Sequence, residues 1–277
     1  MSLRIDATPL KDREPLEWLR GRLVYGRAVG SWIPKGFDRY ARILHPAHLW
    51  EATEGNVVAR PVPWSGVSAW SGKPLHRASS IHDLARRADG TSWQDQGASL
   101  PLEGQLEPPY LDRLTDHLAE ATSTPDALWL LVWDGYGGPG TPLVSTSRRL
   151  MRRRPMSRWP IGIRRRTLLT DTDPRAVVQI SPSLTGRGRK YFLHQGSIEA
   201  SSDHHGRSVF EEPPSFWWPA DRAWFVSTDI DSSSTYVGGS SRLIDGLLTD
   251  PVLEVFPADL EDPYDGAPYD PEAREAQ

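Results

Sequence analysis

The stretch RAWFVSTDIDSSSTYVGGSSRLIDGLL, residues 222–248, carries the clearest structural pattern in this chain of 277 residues. An apolar run ends at Asp229 and Asp231, a hydroxyl-rich loop and the pair Gly238–Gly239 follow, and the segment after them has helical periodicity. This pattern predicts a strand, a turn and a helix that Ser240 caps. It leaves two interpretations open: a functional site, or a structural strand–turn–helix whose aspartates and serines bond backbone groups.

The functional interpretation depends on the two aspartates. If the strand runs into Asp229, its alternation of side chains places Asp229 and Asp231 on the same face. Paired carboxylates at the end of a strand suit Mg²⁺. The backbone amides of the Gly238–Gly239 turn would suit a phosphate held at the start of the helix.

The pattern hhhDxDxS, where h is an apolar residue, resembles the first motif of the haloacid-dehalogenase-type phosphatases. This resemblance implies a metal-dependent phosphoester hydrolase or phosphate-binding enzyme that uses Asp229 and Asp231, and Asp134 is a candidate third carboxylate. In that family the motif opens the fold, whereas few residues follow Asp231 here. A second cluster of Lys and Asp is also missing after it.

Periodicity elsewhere in the chain predicts further strands and helices. The run DALWLLVWDGYGG, residues 126–138, is apolar on both faces and is typical of an interior strand in a covered sheet. Further strands are predicted at about 56–64, 176–180, 190–194, 223–228 and 253–256. Residues 36–46 form either a strand or a short helix, and the prolines on each side, Pro34 and Pro46, favour a strand. Helices are predicted at about 12–23, 108–121 and 240–248, and a loop is predicted at 86–106.

This order of elements predicts an α+β, or mixed α/β, fold in which a central mixed sheet is flanked by a few helices. We expect a single large domain over residues 13–256, preceded by a flexible arm at 1–12. An arginine-rich loop or insertion is expected within it at about 141–175. The acidic, proline-rich tail at 257–277 is expected to be disordered.

Composition excludes several classes of site and predicts a compartment. The chain has no cysteine, which excludes disulfides, cysteine nucleophiles and thiolate metal sites. A net charge of −4 gives no overall attraction to nucleic acid or to anionic membranes. The first residues lack the apolar segment of a signal peptide, and the apolar run 127–133 is too short to cross a bilayer. We therefore expect a soluble cytoplasmic protein without a membrane partner.

An arginine-rich stretch at 148–166 contains nine Arg residues, no acidic residue and one tryptophan, Trp159. Arginines grouped with an aromatic ring bind phosphates and stack on bases, so this stretch is a candidate site for nucleic acid or another polyanion. A charge run of this kind is also typical of a solvated loop, or of a partner for the acidic tail. The candidate polyanion-binding residues are Arg152, Arg153, Arg154, Arg164, Arg165 and Arg166.

Histidines occur in two close pairs, His45 with His48 and His204 with His205. Neither spacing matches a zinc motif, and no cysteine is available to complete a site. The spacing therefore favours exposed loop histidines over metal ligands. We expect no cofactor other than the Mg²⁺ of the phosphatase interpretation.

Aromatic residues are concentrated in FWWPADRAWF, residues 216–225. Such a cluster forms either a hydrophobic core or a binding platform. We expect Trp217 and Trp218, which precede Pro219, to be partly exposed at an edge of the fold. The candidate ligand-binding residues are Trp217, Trp218, Gly238, Gly239 and Ser240.

Four blocks lie within about residues 31–256: FDRYARILHPAHLW, ALWLLVWDGYGG, RKYFLHQGSIEA and SFWWPADRAWFVSTDIDSSSTYVGGSSRLIDGLL. Together they resemble blocks that occur in the same order in a group of uncharacterised actinobacterial proteins. The resemblance implies a soluble bacterial protein and no particular activity. The arginine-rich stretch at 148–166 lies between the blocks, which argues against polyanion binding as a property of the whole group.

No complete catalytic constellation is found, since the sequence has no G-x-S-x-G element, no P-loop and no dinucleotide fingerprint. The sequence therefore favours a non-catalytic module that binds a protein or a small ligand near the 229–239 loop and the Trp217–Trp218 edge. Two alternatives stay open. One is a metal-dependent phosphoester hydrolase or phosphate-binding enzyme that uses Asp229 and Asp231, and the other is a polyanion-binding protein that uses the 148–166 stretch.

Overall fold

The structure is a computed structural model that describes residues 14–19, 21–23, 28–53, 56–133, 177–182, 188–198 and 213–264. The strands are β1 Arg39–Leu44, β2 Ala47–Thr53, β3 Asn56–Val62, β4 Ala98–Ser99, β5 Leu128–Trp133, β6 Val177–Pro182, β7 Gly188–Gly196, β8 Phe216–Pro219, β9 Phe225–Ser227, β10 Ser234–Gly239 and β11 Val255–Ala258. The α-helices are α1 Glu14–Glu17, α2 Trp64–Ser71, α3 Ile81–Leu84, α4 Tyr110–Glu120 and α5 Ser241–Leu248. Short 3-10 segments cover Val29–Ser31 and Trp93–Gln96.

The strands form two sheets. The larger has eight strands in the order β11-β1-β10-β9-β8-β5-β7-β6, and the smaller has three in the order β3-β2-β4. Together with the helices they confirm an α+β fold, in which most of the regular structure is sheet. The expectation of a mixed sheet is wrong for the described strands, because they all pair antiparallel. Short connections, such as the one from β9 to β10, join antiparallel neighbours, whereas parallel neighbours need a long crossover.

β5 is an interior strand of the larger sheet, between β7 and β8. Its side chains alternate between two buried clusters on opposite faces of the sheet. Leu128 and Leu130 belong to the first cluster, and Leu131 belongs to the second. The prediction of an interior strand covered on both faces is therefore confirmed.

The first cluster joins the larger sheet to two helices. Leu114 and Leu118 of α4 are fully buried in it, as are Ile244 and Leu247 of α5. The spacing of three or four residues within each pair is the helical periodicity on which both helices were predicted. Both predictions are confirmed.

The second cluster covers the opposite face of the larger sheet and is rich in aromatic rings. Trp218 stacks on Phe225 with 5.4 Å between the ring centroids, and Trp32 stacks on Tyr264 at 4.9 Å. Because Tyr264 is buried in this cluster, the prediction of a disordered tail is wrong for residues 257–264. Residues 265–277 lie outside the described part of the chain.

The third cluster packs the smaller sheet against α2 and α3. Trp64 of α2 is fully buried, and its Nε1 donates a hydrogen bond to the carbonyl oxygen of His45 at 2.7 Å. The Glu254 carboxylate, just before β11, accepts a hydrogen bond from the Ser65 backbone N at 2.9 Å. These bonds attach the smaller sheet and its helices to the β1–β11 side of the larger sheet.

Several elements differ from those predicted. The helix expected at 12–23 is a single described turn, α1, and the loop expected at 86–106 contains a 3-10 segment and β4. The predicted elements also lack β2, β8, β10, α2 and α3. β10 has the sequence STYVGG, whose serine and glycines are more typical of loops than of strands. None of the described helices combines the length and apolar character needed to cross a membrane.

Candidate functional site

The predicted aspartate pair does not form a two-carboxylate site. β9 ends at Ser227, and the chain then turns: the Ser232 backbone N donates to the Asp229 carbonyl oxygen at 2.9 Å. Within this turn Asp229 Oδ1 accepts a hydrogen bond from the Asp231 backbone N at 3.1 Å. Asp229 is buried and Asp231 is exposed. The prediction that both lie on one strand face is wrong, because the strand ends before either aspartate.

A second loop covers this turn. The Gly104 backbone N donates to the Ser232 carbonyl oxygen at 2.8 Å. Gly104 has a φ of +75°, and a Cβ there would lie 2.9 Å from the Ile230 Cα. Among the residues that the structure describes, no three His, Cys, Asp or Glu side chains are grouped to hold a metal ion. Asp134, the predicted third carboxylate, lies outside the described residues.

Gly238 and Gly239 do not form the predicted phosphate-binding turn. They are strand residues of β10, paired with Tyr40 and Arg39 of β1. A Cβ on Gly238 would lie 2.7 Å from a ring carbon of Phe37, and one on Gly239 would lie 2.7 Å from Leu243 Cδ2. Glycine is needed at both positions because aromatic and helical neighbours pack directly on the strand.

Ser240 is the N-cap of α5, as the sequence predicts. Its Oγ accepts a hydrogen bond from the Leu243 backbone N at 3.3 Å. Capping satisfies a backbone donor that the helix itself leaves unpaired. The Ser240 hydroxyl therefore has a structural role here.

Trp217 and Trp218 are buried, so the prediction that they are partly exposed is wrong. They point to opposite faces of β8, Trp217 into the first cluster and Trp218 into the second. β8 lies between β5 and β9, and both faces of the sheet are covered at this point. Both rings therefore belong to the hydrophobic core and do not form a binding platform.

His45 and His48 are also buried, against the expectation of exposed loop histidines. His45 Nδ1 lies 3.0 Å from the Leu102 carbonyl oxygen, and Nε2 lies 2.9 Å from Thr235 Oγ1. Because a carbonyl only accepts, Nδ1 carries the proton, and in a neutral ring Nε2 accepts from Thr235. Thr228 Oγ1 lies 2.8 Å from Thr235 Oγ1, so the two hydroxyls extend this hydrogen-bond chain. His204 and His205 lie outside the described residues.

Arg42 occupies a buried position between the two sheets. Its Nε donates to Ser234 Oγ at 3.0 Å, and its Nη1 donates to the carbonyl oxygens of Arg77 and Ser79, each at 2.9 Å. The guanidinium carbon lies 5.2 Å from the centroid of the Trp64 ring. These contacts give Arg42 a structural role.

Asp250 is a buried acid with several hydrogen-bond donors around its carboxylate. Its Oδ2 accepts from Arg113 Nε at 2.6 Å and from His117 Nε2 at 2.8 Å, and Oδ1 accepts from the Val252 backbone N at 2.9 Å. Burial raises the pKa of Asp250, but the hydrogen bonds from His117, from backbone amides and from Arg113 outweigh burial and lower the pKa to about 2. Since protein donors occupy both oxygens, this carboxylate ties α4 to the chain after α5.

A surface that the sequence interpretation missed lies on the β2–β3 hairpin. Side chains of Trp50 and Ala52 in β2 share one face with their cross-strand partners Ala59 and Val57 in β3, and Pro61 extends this face. Trp50 is 50% exposed and Val57 is 67% exposed. No member of this set, the apolar hairpin face, carries a charge. Scattered exposed apolar residues are ordinary, whereas a contiguous group marks an interaction surface.

The opposite hairpin face has a different character. Glu51 and Arg60 form an ion pair on it, with 2.6 Å between Arg60 Nε and Glu51 Oε1, and Val58 lies beside Glu51 as its cross-strand partner. Near the base of the hairpin this face is anchored, because Ala47 and Val62 are buried in the third cluster. The charged pair thus lies on this face, together with Val58, whereas the apolar hairpin face carries no charge.

The apolar hairpin face ends at His48, which lies on the same side of β2. His48 Nε2 lies 2.9 Å from Glu107 Oε1 and 3.1 Å from Glu107 Oε2. The backbone N of Trp50 donates to the Gly97 carbonyl oxygen at 3.0 Å. These bonds hold the base of the hairpin against the 97–107 segment, so the exposed part begins at Trp50.

The arginine cluster, which comprises Arg152, Arg153, Arg154, Arg164, Arg165 and Arg166, lies outside the described part of the chain. The chain matches no protein-family model, and no curated protein or solved structure is significantly similar to it. The chemistry of the described residues therefore carries the functional inference.

Proposed function

We propose that this chain is a non-catalytic protein-binding module that contacts its partner through the apolar hairpin face. The supporting observation is the exposure of Trp50 and Val57 on one uncharged face. Tryptophan is enriched at protein interfaces and among the residues that contribute most to binding energy, because its ring buries a large area. Charged residues are depleted at the centres of such interfaces.

The architecture of the hairpin supports this role. β2 is paired to β3 along seven residue pairs and to β4 on its other side, and Ala47 and Val62 anchor the hairpin in the third cluster. A face held in this way loses little conformational freedom when a partner binds. In this proposal the chain forms one domain whose central layer is the larger sheet, flanked by α4 and α5. The β2–β3 hairpin of the smaller sheet projects from this domain.

The surroundings of the buried polar side chains are consistent with a module that has no catalytic role. Asp229, His45 and Asp250 are buried and bonded to neighbouring protein groups. A catalytic acid or base must reach a substrate, whereas these side chains are covered by the protein. The apolar hairpin face, by contrast, is open to solvent at Trp50 and Val57, and covering it gains free energy.

Photo-crosslinking at Val57 tests the proposed function. A photo-reactive phenylalanine analogue replaces Val57 in one variant and Val58 in the matched control, in cells that naturally make the protein. The two positions are neighbours in β3 and are 67% and 50% exposed, but they lie on opposite hairpin faces. We expect protein adducts at position 57 that are several-fold more abundant than those at position 58. Equal yields, or no adduct at position 57, would overturn the proposal.

A further inference from the structure

We propose that the partner of the apolar hairpin face is a second copy of this chain, related to the first by a twofold axis. This inference rests on the proposed function and names its partner. The contact is face to face, between Trp50, Ala52, Val57, Ala59 and Pro61 of each copy.

The charge distribution favours a contact between identical surfaces. In a twofold contact each surface meets itself, so any charge near the axis meets the same charge. The apolar hairpin face carries no charge and avoids this repulsion. The net charge of the whole chain, −4, adds little long-range repulsion between copies at physiological salt.

The sizes of the side chains also favour self-complementarity. Trp50 projects from the face, whereas its cross-strand partner Ala59 and the next residue on the same side of β2, Ala52, are small. A bulky ring therefore stands beside a shallow depression. A twofold rotation places each Trp50 ring over the alanines of the other copy, so that both rings are covered at once.

The edge of the hairpin is less suited to contact than its face. Two residues separate Thr53 from Asn56, so this pair is hydrogen-bonded and the bonded pairs alternate from it along the hairpin. The backbone N–H and C=O groups of Val57 and Ala59, and the C=O of Pro61, then point to the outer edge of β3. Pro61 has no N–H to donate, and a proline in an edge strand commonly prevents another strand from pairing with it.

The size of the face sets the strength of the contact. A standard stable interface involves about 20–30 residues on each side. The apolar hairpin face offers far fewer, so we expect a reversible dimer whose dissociation constant is on the order of micromolar.

Sedimentation velocity of the purified full-length chain tests the inference. The wild type is compared with Val57→Lys and with the matched control Val58→Lys over about 1–100 µM, the range that brackets a micromolar dissociation constant. We expect the wild type and Val58→Lys to shift from monomer to dimer with concentration, and Val57→Lys to remain a monomer. Because both positions are exposed, both variants are expected to fold, which circular dichroism checks.

Two results would overturn the inference. One is a wild type that stays monomeric throughout the range, and the other is association that Val57→Lys leaves unchanged. The identity of the crosslinked adducts shows whether only the dimer inference fails or the proposed binding function fails as well. An adduct at position 57 with a different protein would retain the binding function and reject the second copy, whereas the absence of adducts would reject both.

Discussion

His117 and Asp250 are joined by a hydrogen bond of 2.8 Å between the imidazole Nε2 and the carboxylate Oδ2. The bond connects α4 to the chain that follows α5, and the Asp250 side chain is 1% exposed. A buried carboxylate with several donors is stabilised in its charged form. The pKa of Asp250, lowered to about 2, follows from this arrangement.

Replacement of Asp250 by asparagine is expected to lower the free energy of unfolding at pH 7 by about 2 kcal/mol, the size of a hydrogen bond to a charged group. Because the pKa in the folded protein is below its ordinary value, the stabilisation is complete above the ordinary value of 3.8 and is lost as the pH falls through about 2. Denaturant unfolding of the wild type and the variant between pH 7 and pH 2 measures this difference.

Asp245→Asn is the control for this comparison. Asp245 pairs with Arg39, but its side chain is 59% exposed, so the loss is expected to stay below about 1 kcal/mol. A loss as large as that of Asp250→Asn would show that the effect is not specific to the buried carboxylate.

His194 of β7 is expected to reduce stability in a different pH range. Burial lowers the pKa of His194 from 6.5 to about 4, so the folded protein resists protonation that the unfolded chain accepts. Stability is therefore lost as the pH falls from about 6.5 to about 4, with a loss of up to about 2 kcal/mol at pH 5. His194→Gln should remove this part of the pH dependence, as measured by unfolding at pH 8 and pH 5. Parallel curves for the two proteins would contradict the prediction.

Ser227 and Ser234 are both fully buried but differ in their partners. Ser227 Oγ has no hydrogen-bond partner among the described residues, whereas Ser234 Oγ accepts from Arg42 Nε at 3.0 Å. Ser227→Ala is expected to leave the free energy of unfolding unchanged or to raise it by about 1 kcal/mol, because a buried hydroxyl without a partner is unfavourable. Ser234→Ala is expected to lower it by about 1.5–3 kcal/mol. Denaturation midpoints test both, and similar values for the two variants would refute the distinction.

Gly104 and Gly97 both have positive φ, of +75° and +71°, but different surroundings. A Cβ on Gly104 meets the backbone of Ile230, which cannot rotate away, whereas a Cβ on Gly97 has nothing within 4 Å. Gly104→Ala is expected to cost about 2–4 kcal/mol, the sum of backbone strain and overpacking, and Gly97→Ala about 1 kcal/mol. Thermal or chemical unfolding of the two variants distinguishes these costs, and equal losses would leave the packing explanation without support.

The parts of the fold that the sequence predicts are those with strong local patterns. The continuous apolar run of β5 and the three- and four-residue spacing of leucines in α4 are sufficient to identify a strand and a helix. β10 has no such pattern, because its serine and glycines are required by contacts with residues that are distant in sequence. At position 238, for example, the Phe37 ring leaves no room for a side chain.

The candidate site was less predictable for a similar reason. Whether Trp217 and Trp50 are buried or exposed depends on which strands and helices cover them, and both are apolar residues in strands. The alternation of Trp50 and Ala52 with Glu51 and Thr53 indicates a two-faced strand, which is a signal for β2. It does not indicate that the uncharged face is the exposed one.

The position of Arg42 has a consequence for unfolding. Its guanidinium lies between the Trp64 ring, which belongs to the cluster of the smaller sheet, and the Tyr236 ring of the larger sheet, and it bonds carbonyl oxygens in the segment that connects α2 to α3. Separation of the two sheets would strip a buried cation of these partners, at a high cost in free energy. We therefore expect the two sheets to unfold together on heating, in a single transition.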